Sequence, residues 1–259
     1  MKAAELVKLL PSVVELADGA SAKILEIYDA PFAVRDKADD SPLTEADEIS
    51  EALIHDGLRR LTPDIPVIAE EAVARGETKA DGTLPRFWLV DPLDGTREFV
   101  ARNGEFSISI GLVVDRRPVL GVLLAPVLAT CWTSAGPGTA QVRRGKGSFA
   151  PIRARRQPAT GAVAVQSRSH GDKAAGEALA SEFGVTKIMI CGSAIKFGML
   201  AEGKADLYPR FGRTMEWDTC AGHAILEAAG GRVETAGGEP LRYGKPGFGN
   251  PDFIARGAL

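Results

Sequence analysis

The chain has 259 residues, 45% of them hydrophobic and 25% charged, with 31 Lys+Arg against 34 Asp+Glu and a formal net charge of −3. These are the proportions of an ordinary globular protein, long enough for one large domain or two modest ones. The near-balanced charge excludes a strongly basic nucleic-acid binder and a disordered acidic chain.

Residues 3–29 place Leu6, Leu9, Val13, Val14, Ala17, Ala20, Ile24 and Ile27 at helical spacing, which predicts a long amphipathic helix kinked or restarted near Pro11. Residues 31–42 read as a polar loop. A second helix follows over about 43–61, closed by Pro63 and Pro66. Short apolar runs then predict strands at 66–69 and 86–91, a hairpin of 107–115 and 118–126 turning at Arg116–Arg117, and strands at 129–135 and 139–144. A basic, loop-like stretch spans 143–157, with few aromatic partners for nucleic-acid stacking. Beyond it the pattern alternates: strand 162–167, helix 172–184, strand 187–190, helix 193–202, strand 205–210, helix 218–229 and a closing strand at 252–256. The expected organisation is an N-terminal α+β domain, 1–158, with a large mainly antiparallel sheet, and a C-terminal α/β domain, 159–259.

Cys131, Cys191 and Cys220 are an odd set at wide spacing, neither a disulfide framework nor a zinc motif, and they fit a reducing compartment as small core residues. Glu5, Lys8, Glu15 and Asp18 interrupt the N-terminal helix, so it is no signal peptide, and no segment is long enough to span a bilayer. The expectation is a cytoplasmic protein, with peripheral association with the inner membrane left open. No phosphate-binding G-x-x-x-x-G-K-[ST] loop, G-x-S-x-G elbow or H-E-x-x-H pair is present. His223 reads as structural.

Carboxylates gather where strands end. The run 67–69 stops at Glu70 and Glu71. The strand at 86–91 enters Asp91, where Pro92 is expected to stop the ladder, and Asp94 and the tight-turning Gly95 follow. Asp218 is expected at the N-cap of a helix that ends at Gly230–Gly231. Crowded carboxylates raise one another's pKa values unless cations offset them, and Mg²⁺ accepts oxygen ligands with substrate phosphate. The Asp91–Asp94 turn offers two carboxylates and the Leu93 carbonyl, and Gly95 and Thr96 offer N–H groups to an anion. Metal beside an anion site points to two-metal phosphoryl transfer to water. Acids that merely cap helices and turns, or a glycoside-hydrolase pair, are the competing readings.

Asp91-Pro92-Leu93-Asp94-Gly95-Thr96, with Glu70-Glu71 upstream, Trp217-Asp218-Thr219-Cys220-Ala221-Gly222 downstream and Ser41-Pro42-Leu43-Thr44-Glu45-Ala46-Asp47 near the N-terminus, resembles the inositol monophosphatase superfamily of Mg²⁺-dependent, lithium-sensitive phosphatases over nearly the whole chain. Within it, the stretches 95–106, 167–170, 192–197 and 201–212 resemble the bacterial CysQ-type 3'(2'),5'-bisphosphate nucleotidases. Arg97 stands where Lys is common, and Ala69 where Ser is common; neither change removes a ligand.

The resemblance implies a layered sandwich of alternating α-β-α-β-α layers, the sugar-phosphatase-like fold. It implies two or three Mg²⁺ per site. Glu70, Asp91 and the Leu93 carbonyl would serve one ion, and Asp91, Asp94 and Asp218 the second. Thr96, hydrogen-bonded to Asp47, would orient and deprotonate the attacking water, with Glu71 just behind the ligands. Leu93, Asp94, Gly95, Thr96 and Asp218 would face the phosphate; His170, Ser193 and Lys196 would contact the nucleotide, and Arg210 a second phosphate. The implied reaction takes adenosine 3',5'-bisphosphate, with its sulfated analogue as a second substrate, to the monophosphate in sulfur metabolism. The partner is a small nucleotide bisphosphate rather than nucleic acid, and the protein a monomer or homodimer. An inositol or sugar monophosphatase, a silent nucleotide-binding regulator and an RNA binder using 143–157 remain alternatives.

Overall fold

The computed structural model describes residues 1–36, 42–77, 84–168 and 181–258. Helix α1 (Ala3–Tyr28) runs through Pro11 without restarting and buries Leu6, Val13, Val14, Ala17, Ala20 and Ile24 along one stripe. The expected loop after it is instead a small antiparallel pair, β1 (Val34–Asp36) with β2 (Pro42–Thr44). Its short charged strand carries no apolar alternation, so it gave no strand signal. Helix α2 (Glu45–Leu61) packs against α1. The crossing is close because Gly57 has no side chain: a Cβ there would sit 2.2 Å from Leu16 Cδ2.

Next come β3 (Val67–Ala69), the short helix α3 (Glu70–Ala74), β4 (Arg86–Asp94), α4 (Thr96–Val100), β5 (Ser107–Val114), β6 (Arg117–Ala125), β7 (Thr130–Ser134), β8 (Gln141–Arg144) and β9 (Ala150–Pro151). They form a seven-stranded sheet in the order β3-β4-β5-β6-β7-β8-β9, antiparallel except for the parallel pair β3/β4. The β5–β6 turn falls one residue earlier than expected, on Asp115 and Arg116. Both have positive φ, 48° and 63°, which suits the twist of a tight hairpin.

The expected loop at 143–157 thus contains β9, and three of its five arginines are engaged within the chain. Arg143 pairs with Asp18, Arg144 with Glu202, and Arg155 holds Asp206 through two hydrogen bonds of 2.8 and 2.9 Å.

The second sheet comprises β10 (Ala162–Ser167), β11 (Val185–Cys191), β12 (Leu207–Arg210), β13 (Arg232–Thr235) and β14 (Phe253–Arg256), in the order β11-β10-β12-β14-β13. The first three run parallel, and β14 is antiparallel to β12 and β13. Strand β13 was not expected; only Val233 of its four residues is buried, so it shows little periodicity. Helices α5 (Ile195–Ala201) and α6 (Glu216–Ala228) belong to this half. Most of the helix expected at 172–184 lies outside the described residues.

One buried cluster joins α1 and α2 to one face of the seven-stranded sheet. Another gathers the opposite face, α5, α6 and the second sheet. The layers are those of the expected sandwich.

Helix α6 sets the geometry that matters. Gly111 and Gly121 face each other across β5 and β6 and leave a notch for it. A Cβ at Gly121 would lie 2.3 Å from the Ala221 carbonyl oxygen, and one at Gly111 2.4 Å from Cys220 Sγ. Backbone cannot yield as a flexible side chain does. Gly121→Ala is therefore expected to cost about 1–3 kcal/mol in urea unfolding and to weaken divalent-cation binding by shifting α6. A variant with wild-type stability and cation affinity would show that the notch is not needed.

Candidate active site

Chain register brings the acids together. Strands β3 and β4 are parallel, and Ala69 pairs with Val90, so the residues that follow, Glu70 and Asp91, lie at the same end of the pair. Asp91 pairs with Ser109, whose Oγ donates to the Trp217 carbonyl at 2.9 Å, one residue before Asp218. Carboxylate oxygens of Glu70, Asp91 and Asp218 lie within 4.8 Å of one another. Asp91 is only 2% exposed, and its Oδ1 accepts the Leu93 N–H at 3.0 Å.

Two local expectations need correction. Pro92 does not end the strand: β4 continues to Asp94, and a bulge between Asp91 and Asp94 absorbs one extra residue against β5. A bulge leaves a position with no ladder bond to make, which a proline tolerates. Asp218 is not the N-cap, because the helix begins two residues earlier, at Glu216. Its Oδ2 instead reaches back to accept the Met215 N–H at 2.8 Å, the reverse half of a capping box.

Asp94 lies outside the close triad. Its Oδ2 accepts Ser193 Oγ–H at 2.7 Å and the Ala194 N–H in a shorter contact. Burial raises its carboxyl pKa, opposed by the Lys196 cation and the Ser193 hydroxyl. Asp218 is held well above the usual carboxylate range, by burial and then by the negative charges of Asp94 and Glu70.

Such crowding has a pH signature. The unfolded chain gives up these protons at ordinary carboxylate pKa values, while the folded state keeps them to higher pH. Stability in cation-free buffer therefore falls as pH rises through that window. Divalent cations should reverse the loss. Mg²⁺ at about 100 times its dissociation constant adds about 2.7 kcal/mol, so Tm should rise more at pH 7 than at pH 5. A pH-independent Tm shift would contradict this reading.

Gly95 makes the turn after Asp94 at φ 94°, where a Cβ would meet the Glu105 carbonyl oxygen at 3.2 Å. Thr96 then opens α4. Its hydroxyl lies 3.1 Å from Asp47 Oδ1 and 3.2 Å from the Leu93 carbonyl oxygen, either of which accepts its single proton. Asp47 is 1% exposed, and its Oδ2 accepts both the N–H and the hydroxyl of Thr44 at 2.7 Å. Glu71 is buried beside Glu70, and its N–H donates to Glu51 Oε2 at 2.8 Å.

A cleft of about 640 Å³ joins these groups to the second half of the chain, with Ser193, Lys196, Tyr208, Arg210 and Arg213 in its wall. Ser193 has positive φ (57°), and its hydroxyl also contacts Ser107 Oγ. Lys196 is 2% exposed; its ammonium lies over the Tyr208 ring and donates to the Cys191 carbonyl at 3.2 Å and to that of Ser193. Burial pushes its pKa down. Arg210 Nη2 donates to the Arg213 carbonyl at 2.8 Å. His170 lies outside the described residues. His223 is buried away from the cleft lining, with Nδ1 2.9 Å from the Tyr243 hydroxyl.

Ser107, Ser109, Tyr208 and Arg213 were not singled out from the sequence. The first two did leave a signal: they are polar residues two apart at the start of an otherwise apolar strand, one on each side of Ile108.

The donor set fits a hard divalent cation. All three close groups are carboxylates, the chemistry Mg²⁺ prefers, and their mutual repulsion is what a cation relieves.

A model of the inositol monophosphatase family matches residues 5–254. The 3'(2'),5'-bisphosphate nucleotidase CysQ of Escherichia coli K12 is 43% identical over 248 residues, covering 95% of this chain and 98% of that protein. The crystal structure of CysQ from Bacteroides thetaiotaomicron superposes with TM-score 0.80 at 37% identity, covering 96% of each chain. An inositol monophosphatase from Anabaena superposes with TM-score 0.74 at 25% identity, over 98% of this chain and 92% of that one.

Proposed function

Because this chain belongs to the inositol monophosphatase family, we propose that it is a metal-dependent 3'(2'),5'-bisphosphate nucleotidase. It hydrolyses adenosine 3',5'-bisphosphate to AMP and phosphate, with the sulfated analogue as a second substrate, and so serves sulfur metabolism. The observation that carries the chemistry is the carboxylate triad at the cleft, with the Thr96–Asp47 pair alongside. The relatives named CysQ, aligned almost end to end, support the substrate class.

Glu70, Asp91, the Leu93 carbonyl, Asp94 and Asp218 hold two Mg²⁺, with Glu71 available to a third. Bound there, Mg²⁺ supplies charge neutralisation for the phosphate and acidifies the attacking water.

The chain's own groups do the rest. Donating its hydrogen bond to Asp47 Oδ1, the Thr96 hydroxyl presents lone pairs to a water in the cleft. That water gives a proton to Thr96 as Thr96 passes its own to Asp47; the water oxygen bonds to phosphorus as the opposite bond from phosphorus to the ribose oxygen breaks, and that oxygen leaves with a proton taken from solvent water. The N–H groups of Gly95 and Thr96 hold phosphate oxygens. Arg210 takes the second phosphate, Ser193 and Lys196 shape the nucleotide wall, and His170, by the family resemblance, is a further nucleotide contact.

On this reading residues 1–158 and 159–259 are two domains, and the cleft takes groups from both. Among the described residues no helix is long and apolar enough to cross a membrane. We place the protein in the cytoplasm, acting on a small nucleotide rather than on nucleic acid.

Chelation tests the metal requirement. With EDTA in excess, phosphate release from adenosine 3',5'-bisphosphate should fall to background, and added Mg²⁺ should restore it. Full activity in EDTA would overturn the mechanism.

A further inference from the structure

Glu105 ties the seven-stranded half of the chain to two neighbouring strand ends of the other half. Its Oε1 accepts Arg168 Nη2–H at 2.8 Å, and its Oε2 accepts Arg168 Nε–H at 3.0 Å, a bidentate fork. The same Oε2 accepts the Gly192 N–H at 2.8 Å. Arg168 is the residue after β10, and Gly192 the residue after β11. One carboxylate of the seven-stranded half thus fastens the ends of two adjacent strands of the other half.

The backbone of Glu105 is equally close. Its carbonyl oxygen would be 3.2 Å from a Cβ at Gly95 and 2.7 Å from one at Gly192. Those glycines let the phosphate-side turn and the 192–194 loop both lie against the carbonyl of one residue. The loop is worth holding: Ser193 is in the left-handed region, Lys196 hangs from the carbonyls of Cys191 and Ser193, and both line the cleft.

We propose that Glu105 is a specificity-positioning residue: through Gly192 and Arg168 it fixes the nucleotide wall at a set distance from the phosphate-side turn. It touches neither the carboxylate triad nor the Thr96–Asp47 pair. Its loss should therefore slacken the grip on the distal part of the substrate more than it disturbs the reacting end, which it reaches only indirectly, through the bonds from Ser193 and Ala194 to Asp94. The inference rests on the nucleotidase reading above.

The test is steady-state kinetics with Mg²⁺ on wild type, Glu105→Ala and Glu105→Gln. Adenosine 3',5'-bisphosphate is compared with p-nitrophenyl phosphate, which has no second phosphate and no nucleoside. Glu105→Ala should raise KM for the bisphosphate about 10–100-fold, the scale of losing a hydrogen bond to a charged group, with kcat within about threefold. Its kcat/KM on p-nitrophenyl phosphate should change less than about threefold. Glu105→Gln keeps an oxygen for Gly192 and loses half of the Arg168 fork, so its KM should fall between the two; it also gives the answer if the Ala variant misfolds.

Equal losses on both substrates, or an unchanged bisphosphate KM in a folded variant, would overturn the positioning role while leaving the function standing. A wild type inactive on the bisphosphate but active on p-nitrophenyl phosphate would overturn the function, and this role with it.

Discussion

Asp91→Asn should reduce Mg²⁺-dependent phosphate release by on the order of 10³-fold, or about 4 kcal/mol of barrier, the scale on which a metal centre stabilises transition-state charge. Asp91 is the most central member of the site. It lies within the buried run of β4, is shared between the two proposed cation positions and is only 2% exposed. Asparagine keeps the shape and one oxygen, so the Leu93 N–H at 3.0 Å can still be accepted and the fold should survive. The charge is what disappears. Calorimetry should show weaker Mg²⁺ binding, and unfolding in cation-free buffer should show equal or higher stability, since one of the crowded carboxylates is gone. Activity within tenfold of wild type would mean that this carboxylate does not hold the metal.

Asp47→Asn should lower kcat by about 10²–10³-fold with KM little changed, the usual scale for losing a general base. The hydrogen-bond directions give the reason. Oδ2 accepts two bonds from Thr44 at 2.7 Å, so an asparagine would set its oxygen on that side and turn its NH₂ toward Thr96. Thr96 would then accept from residue 47 instead of donating to it, which occupies one of its two lone pairs and leaves it no base at residue 47 to take its proton. Thr96→Val removes the relay from the other end and should cost a similar factor. The double variant should be no worse than either alone, because the two side chains act as one unit. Multiplicative losses, or a Thr96→Val enzyme of near-normal kcat, would separate the pair.

The groups of the candidate site were legible in the sequence where they are local. Asp91, Leu93, Asp94, Gly95 and Thr96 sit in six consecutive residues, and Glu70 directly follows an apolar run. The Thr96–Asp47 hydrogen bond was also expected, though through family resemblance rather than spacing. What stayed hidden depends on register and docking. Ser109 matters because it faces Asp91 across a ladder and meets a helix 108 residues later. Glu105 meets Gly192 across 87 residues, and nothing local marks it.

The misread elements have similar causes. The bulge at Pro92 is a property of the β4/β5 pair and not of either strand alone. The start of α6 was misplaced because Asp218 bonds backward to Met215, and a sequence shows an acidic residue near a helix start without showing which way it turns.

A cleft built for a nucleotide with two phosphates is tested most directly by kcat/KM of the wild-type protein with Mg²⁺ on adenosine 3',5'-bisphosphate against inositol 1-phosphate. A site that pairs a second phosphate should reject a substrate lacking it by about 10²-fold or more, so the bisphosphate should be preferred by at least that factor. Equal values, or a preference for inositol 1-phosphate, would contradict the account and make the protein a general monophosphatase of the same family.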